Sequence, residues 1–189
     1  MKWKTLNVKI IEANEHLRFM AEDFETGNGK RGKYFYHTNA YGDEAVNVFV
    51  QKKDGTFVMT REYRYLFDQA TLSMPQGSIE TGESAEDAAR RETLEEAGYK
   101  VGVLVDLGWF ATAPAFSKER ARIFLAQDVE PVGQKLDVME EIETVEMTAD
   151  EIDQAIADGT MWDGQAIASW YKVRAYLVLR HSERSEESL

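Results

Sequence analysis

The chain holds no cysteine in 189 residues. Disulfides, thiolate metal sites and cysteine nucleophiles are therefore excluded. It also lacks any apolar run near the ~20 residues that a membrane helix requires. Met1 to His16 is basic and then alternating, with no apolar secretory core, and a cytoplasmic setting is expected. Basic residues are outnumbered, 22 Lys+Arg against 34 Asp+Glu, for a net charge of −12. A protein that tracks a phosphate backbone carries a basic patch. Here the basic residues are scattered, with short clusters at Lys30, Arg31 and Lys33 and at Arg61 to Arg64. Long nucleic acid is not an expected partner. A small phosphate ester is still allowed, because a metal ion inverts the local electrostatics of an acidic site. The three histidines, His16, His37 and His181, show no partner pattern, and no internal repeat is visible.

What is present reads as an ordinary globular chain, 43% hydrophobic and 30% charged. Its length predicts one domain. Trp3 to Ile11 and Leu17 to Phe24 alternate as strands do, and Lys33 to Tyr36 is aromatic and β-prone. Turn formers from Glu25 to Lys30 predict a hairpin between the last two. Ala45 to Gln51 and Thr56 to Arg61 flank Asp54-Gly55, a stronger hairpin signal. Ser73 to Glu83 reads as a loop and Ala85 to Ala97 as a helix, with Ser84 placed to cap it and Gly98 to stop it. Strands are expected over Val101 to Phe110, Ala121 to Gln127 and Ile142 to Met147. A short helix opens at Thr148 and ends near Gly159. A last helix, Gln165 to Arg180, carries Ile167, Trp170, Tyr171, Leu177 and Val178 in a stripe read as core packing. Residues 181–189 are polar and low in complexity, and are expected to be disordered. The pattern predicts a mixed sheet covered by helices, with β structure added at the front.

The helix over Ala85 to Ala97 carries the chemistry. At about 100° per residue, Glu92, Glu95 and Glu96 share one arc with Ala85, Ala88 and Ala89. A solvated acidic face normally places lysine or arginine four residues after each glutamate; none of these three has one within the helix, since Lys100, four after Glu96, falls beyond the Gly98 stop. Glu92 and Glu96 form a like-charge pair at i,i+4, near the helix end where the macrodipole disfavours anions. A cation would offset this. With oxygen ligands alone it would be hard, Mg²⁺ or Mn²⁺. Gly77 and Gly82 in the preceding loop let backbone approach a ligand closely.

Gly77, five residues, Glu83, seven residues, then Arg91-Glu92-x-x-Glu95-Glu96-x-Gly98-Tyr99 resembles the Nudix box; only Thr93 departs mildly, standing where the family often has an aliphatic residue. The resemblance implies an α+β fold, a Nudix-type α/β/α sandwich with a mixed β-sheet. It further implies residues 1–40 as an N-terminal β extension, 41–180 as the hydrolase domain and 181–189 as a tail. It implies metal held by Glu92 and Glu96 with help from Glu95, and by the main-chain carbonyl of Gln76. Arg91 would orient a glutamate, and Glu83 would support it.

Arg61-Glu62-Tyr63-Arg64 is similar to a strand end of the ADP-ribose or nucleoside-diphosphate-sugar branch, where arginines face substrate phosphates; Arg61, Arg64 and Gly77 are the expected substrate contacts. Pro114 falls where that branch has proline. The β-rich front resembles a domain that such enzymes exchange in dimers, so a homodimer is implied. Met74-Pro75-Gln76-Gly77, in contrast, is closer to dinucleoside polyphosphate and RNA-end hydrolases. The loop Asp137 to Glu143 resembles the one that supplies a base or a further metal ligand, with Glu140 the first candidate and Glu141 the second. The implied reaction is metal-dependent hydrolysis of the diphosphate of ADP-ribose or a nucleotide sugar. The alternatives are a polyphosphate or RNA-end pyrophosphohydrolase and a non-catalytic nucleotide-sensing module.

Overall fold

The structure, a computed structural model, describes residues 2–186. Three strands come first, β1 (Lys4–Ala13), β2 (Leu17–Glu25) and β3 (Arg31–Asn39), in an antiparallel meander of order β1-β2-β3. The turn expected at Glu25 to Lys30 joins β2 to β3, closed by Gly29 N–H donating to Thr26 O at 2.9 Å. This sheet is tied to the rest by main-chain bonds such as His37 N to Phe116 O, 2.8 Å.

The main sheet has seven strands. β4 (Glu44–Gln51), β5 (Phe57–Arg64), β8 (Tyr99–Ala111), β9 (Arg120–Pro131) and β10 (Ile142–Met147) run in the order β10-β5-β4-β9-β8. β6 (Gln69–Ser73) lies on β5 and β7 (Gln76–Ser78) on β4. The β4–β9 pair is parallel and the others are antiparallel, so the sheet is mixed.

Three helices cover it, α1 (Ala85–Glu92), α2 (Ala149–Ala157) and α3 (Gly164–Glu186). Side chains alternate faces along a strand. On β4, Val46, Val48 and Val50 pack with Ala88 and Ala89 of α1 on one face. Phe49 turns the other way, to meet Ile152 of α2 and Trp170 and Val173 of α3. Both faces of the central strands are thus buried, which is why Ala45 to Gln51 reads as an almost continuous apolar run. The α/β/α layering expected from the sequence is present.

β4 and β5 pair only at Val50↔Val58 and Gln51↔Phe57, next to the Asp54-Gly55 turn. Beyond that they splay, and the segment 69–78 fills the fork as β6 on one arm and β7 on the other. The fork is where the functional groups gather.

Three expectations need correction. The loop expected over Ser73 to Glu83 contains β7, because Gln76 to Ser78 finds an open edge on β4. The α3 stripe is rotated: Ala166, Ser169, Trp170 and Val173 face inward, while Tyr171 and Val178 are exposed. Ile167 and Leu177 pack on the core as expected. Finally, α3 runs on through residues 181–186, where disorder was expected. That stretch contains no glycine or proline to stop a helix, and Ser182 Oγ donates back to Val178 O at 3.1 Å. Residues 187–189 of the expected tail lie outside the described residues. Among the described residues no helix is long and apolar enough to cross a membrane.

Candidate active site

Ser84 caps α1, its hydroxyl accepting from Asp87 N at 3.1 Å. Ala88 and Ala89 are fully buried and let the helix lie close on β4. After Glu92 the helix widens into a π-turn over Thr93–Ala97. Buried Thr93 donates its hydroxyl to Ala89 O at 2.7 Å, taking up helix carbonyl capacity where the turn widens. Gly98, at φ 75°, ends it in the left-handed region. The turn separates the acids: Glu95 stays partly exposed, while Glu92 and Glu96 are only 8% and 7% exposed.

Arg91 spends all five N–H donors here. Nε and Nη2 hold the two oxygens of Glu83, each at 3.0 Å. Nη2 also reaches Ser78 O at 3.0 Å, and Nη1 reaches Glu92 at 2.7 Å and Glu95 at 3.2 Å. This planar fork ties loop, β7 and helix together in a way that an ammonium cannot. The fork holds the Glu83 carboxyl below its usual range and raises the guanidinium further.

Both buried acids point at β7. Along that strand Pro75 O and Ile79 N bond to β4, so the intervening Gln76 and Ser78 present their main-chain groups to the opposite edge. Gln76 N–H donates to Glu96 Oε2 at 2.9 Å, and Ser78 O takes the Arg91 bond. The Gln76 carbonyl belongs to the same edge. At Gly77, a Cβ would stand 1.8 Å from Glu92 Oε1. Burial pushes Glu92 up to about 7, against the pull of Arg91. Burial pushes Glu96 up to about 8, with the charges of Glu92, Glu62 and Glu140 adding to it. Two desolvated carboxylates beside a main-chain oxygen, with no thiolate or imidazole, are a donor set for a hard divalent cation.

The loop between β9 and β10 is anchored beside the π-turn. Gln134 Nε2 donates to Glu96 O at 2.6 Å and to Ile142 O at 3.2 Å, and Lys135 N donates to Glu95 O at 2.9 Å. Beyond these anchors Glu140 is exposed and accepts from Asp137 N at 2.9 Å. Its charge reaches Glu62, Glu92 and Glu96. Among the described residues, no three acidic or histidine side chains converge as metal ligands.

A cavity of about 410 Å³ lies beside this edge, with Asn47, Arg64, Gln76 and Gly77 in its wall. A second, of about 580 Å³, lies on the other side of Ser78 and is lined by Tyr41, Thr81 and Glu92 among others. Pro114 belongs to a separate cavity of about 300 Å³ under the N-terminal sheet, with Trp3, Phe24, Tyr34 and Tyr36.

The NUDIX domain model matches residues 43–170, most of the chain. The chain belongs to the NUDIX domain family. It is 27% identical over 186 residues to the ADP-ribose pyrophosphatase of Bacillus subtilis, covering 97% of each chain. It is 26% identical to the methanol dehydrogenase activator of Bacillus methanolicus, over 94% of this chain and 96% of that one. The crystal structure of an ADP compounds hydrolase superposes with a TM-score of 0.84 at 25% identity, covering 95% and 96% of the two chains. The branch expected from the sequence, the one that holds ADP-ribose pyrophosphatases, is the one these relatives resemble.

Of the Nudix residues expected to act, the fold brings Gln76, Gly77, Glu83, Arg91, Glu92, Glu95 and Glu96 together around β7. Glu140 stays on its loop, and Glu141 is exposed beside it. Arg61 and Arg64 are parted, because residues three apart on a strand point to opposite faces. Arg64 lines the 410 Å³ cavity, held by Glu62 at 3.0 Å and Asp163 at 3.3 Å, whereas Arg61 is exposed, 3.9 Å from Glu143. Sequence reading missed Glu62, a half-buried acid on the Arg64 face whose pKa burial raises. The alternation of β5 was the available signal. It also missed Gln134 and the buried Asn47–Ser169 bond of 2.9 Å, which no local pattern announces.

Proposed function

We propose that the protein hydrolyses the diphosphate bridge of ADP-ribose or a nucleotide sugar, giving a nucleoside monophosphate and a sugar phosphate. The observation that carries this reading is the convergence of buried Glu92 and Glu96 on the Gln76–Gly77 edge, at a glycine where no Cβ fits.

In this reading Glu92, Glu96 and the Gln76 carbonyl hold Mg²⁺ or Mn²⁺, with Glu95 assisting from the rim. When bound, the cation would supply charge neutralisation at the phosphate oxygens and would lower the pKa of a nearby water. Arg91 fixes the carboxylate of Glu92, and Glu83 fixes Arg91. Glu140 is the first candidate to take the proton of the attacking water, since its charge already reaches both buried acids, and Glu141 is the second. Arg64 presents a planar cation to the diphosphate from the cavity wall. Arg61 is placed to meet substrate only from the other face of β5. The Gln76 side chain, which set the motif apart from the ADP-ribose branch, leaves the main-chain role unchanged.

Residues 1–40 are proposed as a dimerisation element of a homodimer. Phe19 and Phe35 stack on one face of this sheet, and Val8 and Ile10 lie on the other; each is about half exposed, and exposed apolar side chains of this kind support an interface.

The deciding experiment assays ADP-ribose, ADP-glucose and diadenosine polyphosphates with Mg²⁺ and with Mn²⁺, and identifies the products. Turnover of the first two to AMP and a sugar phosphate is expected. Absence of turnover for every compound with either metal overturns the reading.

A further inference from the structure

Apart from Arg64 and the β7 edge, the 410 Å³ cavity beside Gly77 has a lining that no step of hydrolysis requires. No aromatic ring lines it, so a nucleobase finds nothing to stack on. The rest of its wall, beside Ala45, is carboxamides and acids from distant parts of the chain: Asn47 on β4, Glu119 just before β9, and Asp163 and Gln165 at the start of α3. Several of these groups are already committed in ways that fix what remains. Asn47 is 1% exposed and gives its amide nitrogen to Ser169 Oγ at 2.9 Å, so its carbonyl is the end left for the cavity. Asp163 is locked as the cap of α3 by Gln165 N at 2.8 Å and Ala166 N at 3.2 Å, with Arg64 on its other oxygen. Glu119 accepts from Asn39 Nδ2 and Thr112 Oγ1, each at 2.8 Å, and meets no cation among the described residues. The Gln165 carboxamide has no partner in the protein among the described residues, so both its donor and its acceptor face outward.

The charge balance is as telling as the hydrogen bonding. One arginine faces two carboxylates in this wall, and that arginine is already shared between Glu62 and Asp163. An additional phosphate placed here would meet an uncompensated Glu119 in a partly desolvated site. A neutral group rich in hydroxyls would instead find both donors and acceptors.

We infer that this cavity seats the uncharged polyol half of the substrate, selected by the Gln165 carboxamide and the Glu119 carboxylate, and that the same acids turn away a third phosphate. The inference rests on the diphosphate-hydrolase reading and deepens it by naming the residues that choose the substrate. Gln165 and Glu119 are specificity residues. They leave the reacting atoms to the β7 edge.

The test compares the full-length protein with Gln165→Leu and Glu119→Gln. Steady-state turnover is measured on ADP-ribose and diadenosine triphosphate, and calorimetric binding on an ADP-ribose analogue with a methylene-bridged diphosphate. Gln165→Leu is expected to raise the KM for ADP-ribose and the Kd of the analogue about tenfold, with kcat within about twofold, as the loss of one or two hydrogen bonds in the ground and transition states alike requires. Glu119→Gln is expected to improve diadenosine triphosphate relative to ADP-ribose by roughly fivefold at low ionic strength. Wild-type KM and Kd in Gln165→Leu overturn the inference, as does wild-type protein that cleaves diadenosine triphosphate as efficiently as ADP-ribose. If no compound turns over but Gln165→Leu still weakens the analogue, the cavity assignment stands and the reaction reading falls.

Discussion

The α-carbon of Gly77 faces the carboxylate of Glu92 so closely that a methyl group there would lie 1.8 Å from Oε1 and 2.3 Å from Cδ. Gly77 is needed for this contact and not for backbone freedom, since it is not among the glycines with positive φ. Gly77→Ala must therefore push either β7 or Glu92 out of place. Activity should fall at least ~100-fold, because a misplacement of about 1 Å is enough for that. Steady-state kinetics and a crystal structure of the variant check this, and near-wild-type kcat/KM would contradict it.

Glu96→Gln keeps an oxygen for the Gln76 N–H but removes the charge. Turnover should drop by two orders of magnitude or more at saturating Mg²⁺, while the metal-free variant is at least as stable as wild type near pH 8. The second half follows from burial, which penalises the ionised acid and not the amide. Thermal unfolding in EDTA and turnover assays read the two effects separately.

The same burial sets a pH dependence. Glu92 and Glu96 ionise at about 7 and about 8 when folded, against an ordinary value of 4.5. The folded state thus holds these protons more tightly. Below pH 4.5 both states are protonated and the pair costs nothing. As pH rises from there through 8 the cost grows, reaching on the order of a few kcal/mol. Metal-free protein should lose Tm between pH 6 and 8.5. Added Mg²⁺ should restore it, and by more at pH 8.5 than at pH 6. Calorimetric scans with EDTA or Mg²⁺ test this, and a Tm shift by Mg²⁺ that is equal at both pH values would refute it.

Arg91→Lys keeps the charge and loses the fork. Of the five bonds that Arg91 makes, a lysine retains at most three, and Glu83 loses its two-point hold. The expected cost is ~1–3 kcal/mol of stability, since the cluster is partly exposed, with kcat falling more than KM rises. Urea titration and kinetics on the same preparation decide it.

If residues 1–40 form a dimer interface, Phe35→Lys on β3 should shift the protein toward monomer without unfolding the main sheet. Multi-angle light scattering coupled to size exclusion measures this. An unchanged mass in the variant, or a monomeric wild type, removes the interface.

Much of the site was legible because its signals are local. The Ser84 cap, the spacing of Glu92 to Glu96, the Gly98 stop and the Asp54-Gly55 turn each depend on a few neighbouring residues. What escaped depends on distance or on backbone detail. β7 exists only because β4 and β5 part company. The π-turn at Thr93 regroups the acids in a way that a regular 100° step does not describe. Asn47 and Ser169 meet across 122 positions. The separation of Arg61 from Arg64, in contrast, was readable: strand periodicity alone assigns them to different faces.

The groups proposed to hold the ion, the Gln76 carbonyl and the acids Glu92 and Glu96, all lie on one short stretch of the chain. The neighbouring hollow shares Gln76 to Ser78 with that stretch, but the rest of its wall comes from residues 45, 47, 64, 119, 163 and 165. Bond breaking and the choice of what is broken are therefore written in different passages of the chain. A lineage is free to revise its diet by editing the start of the last helix, leaving its cutting edge untouched.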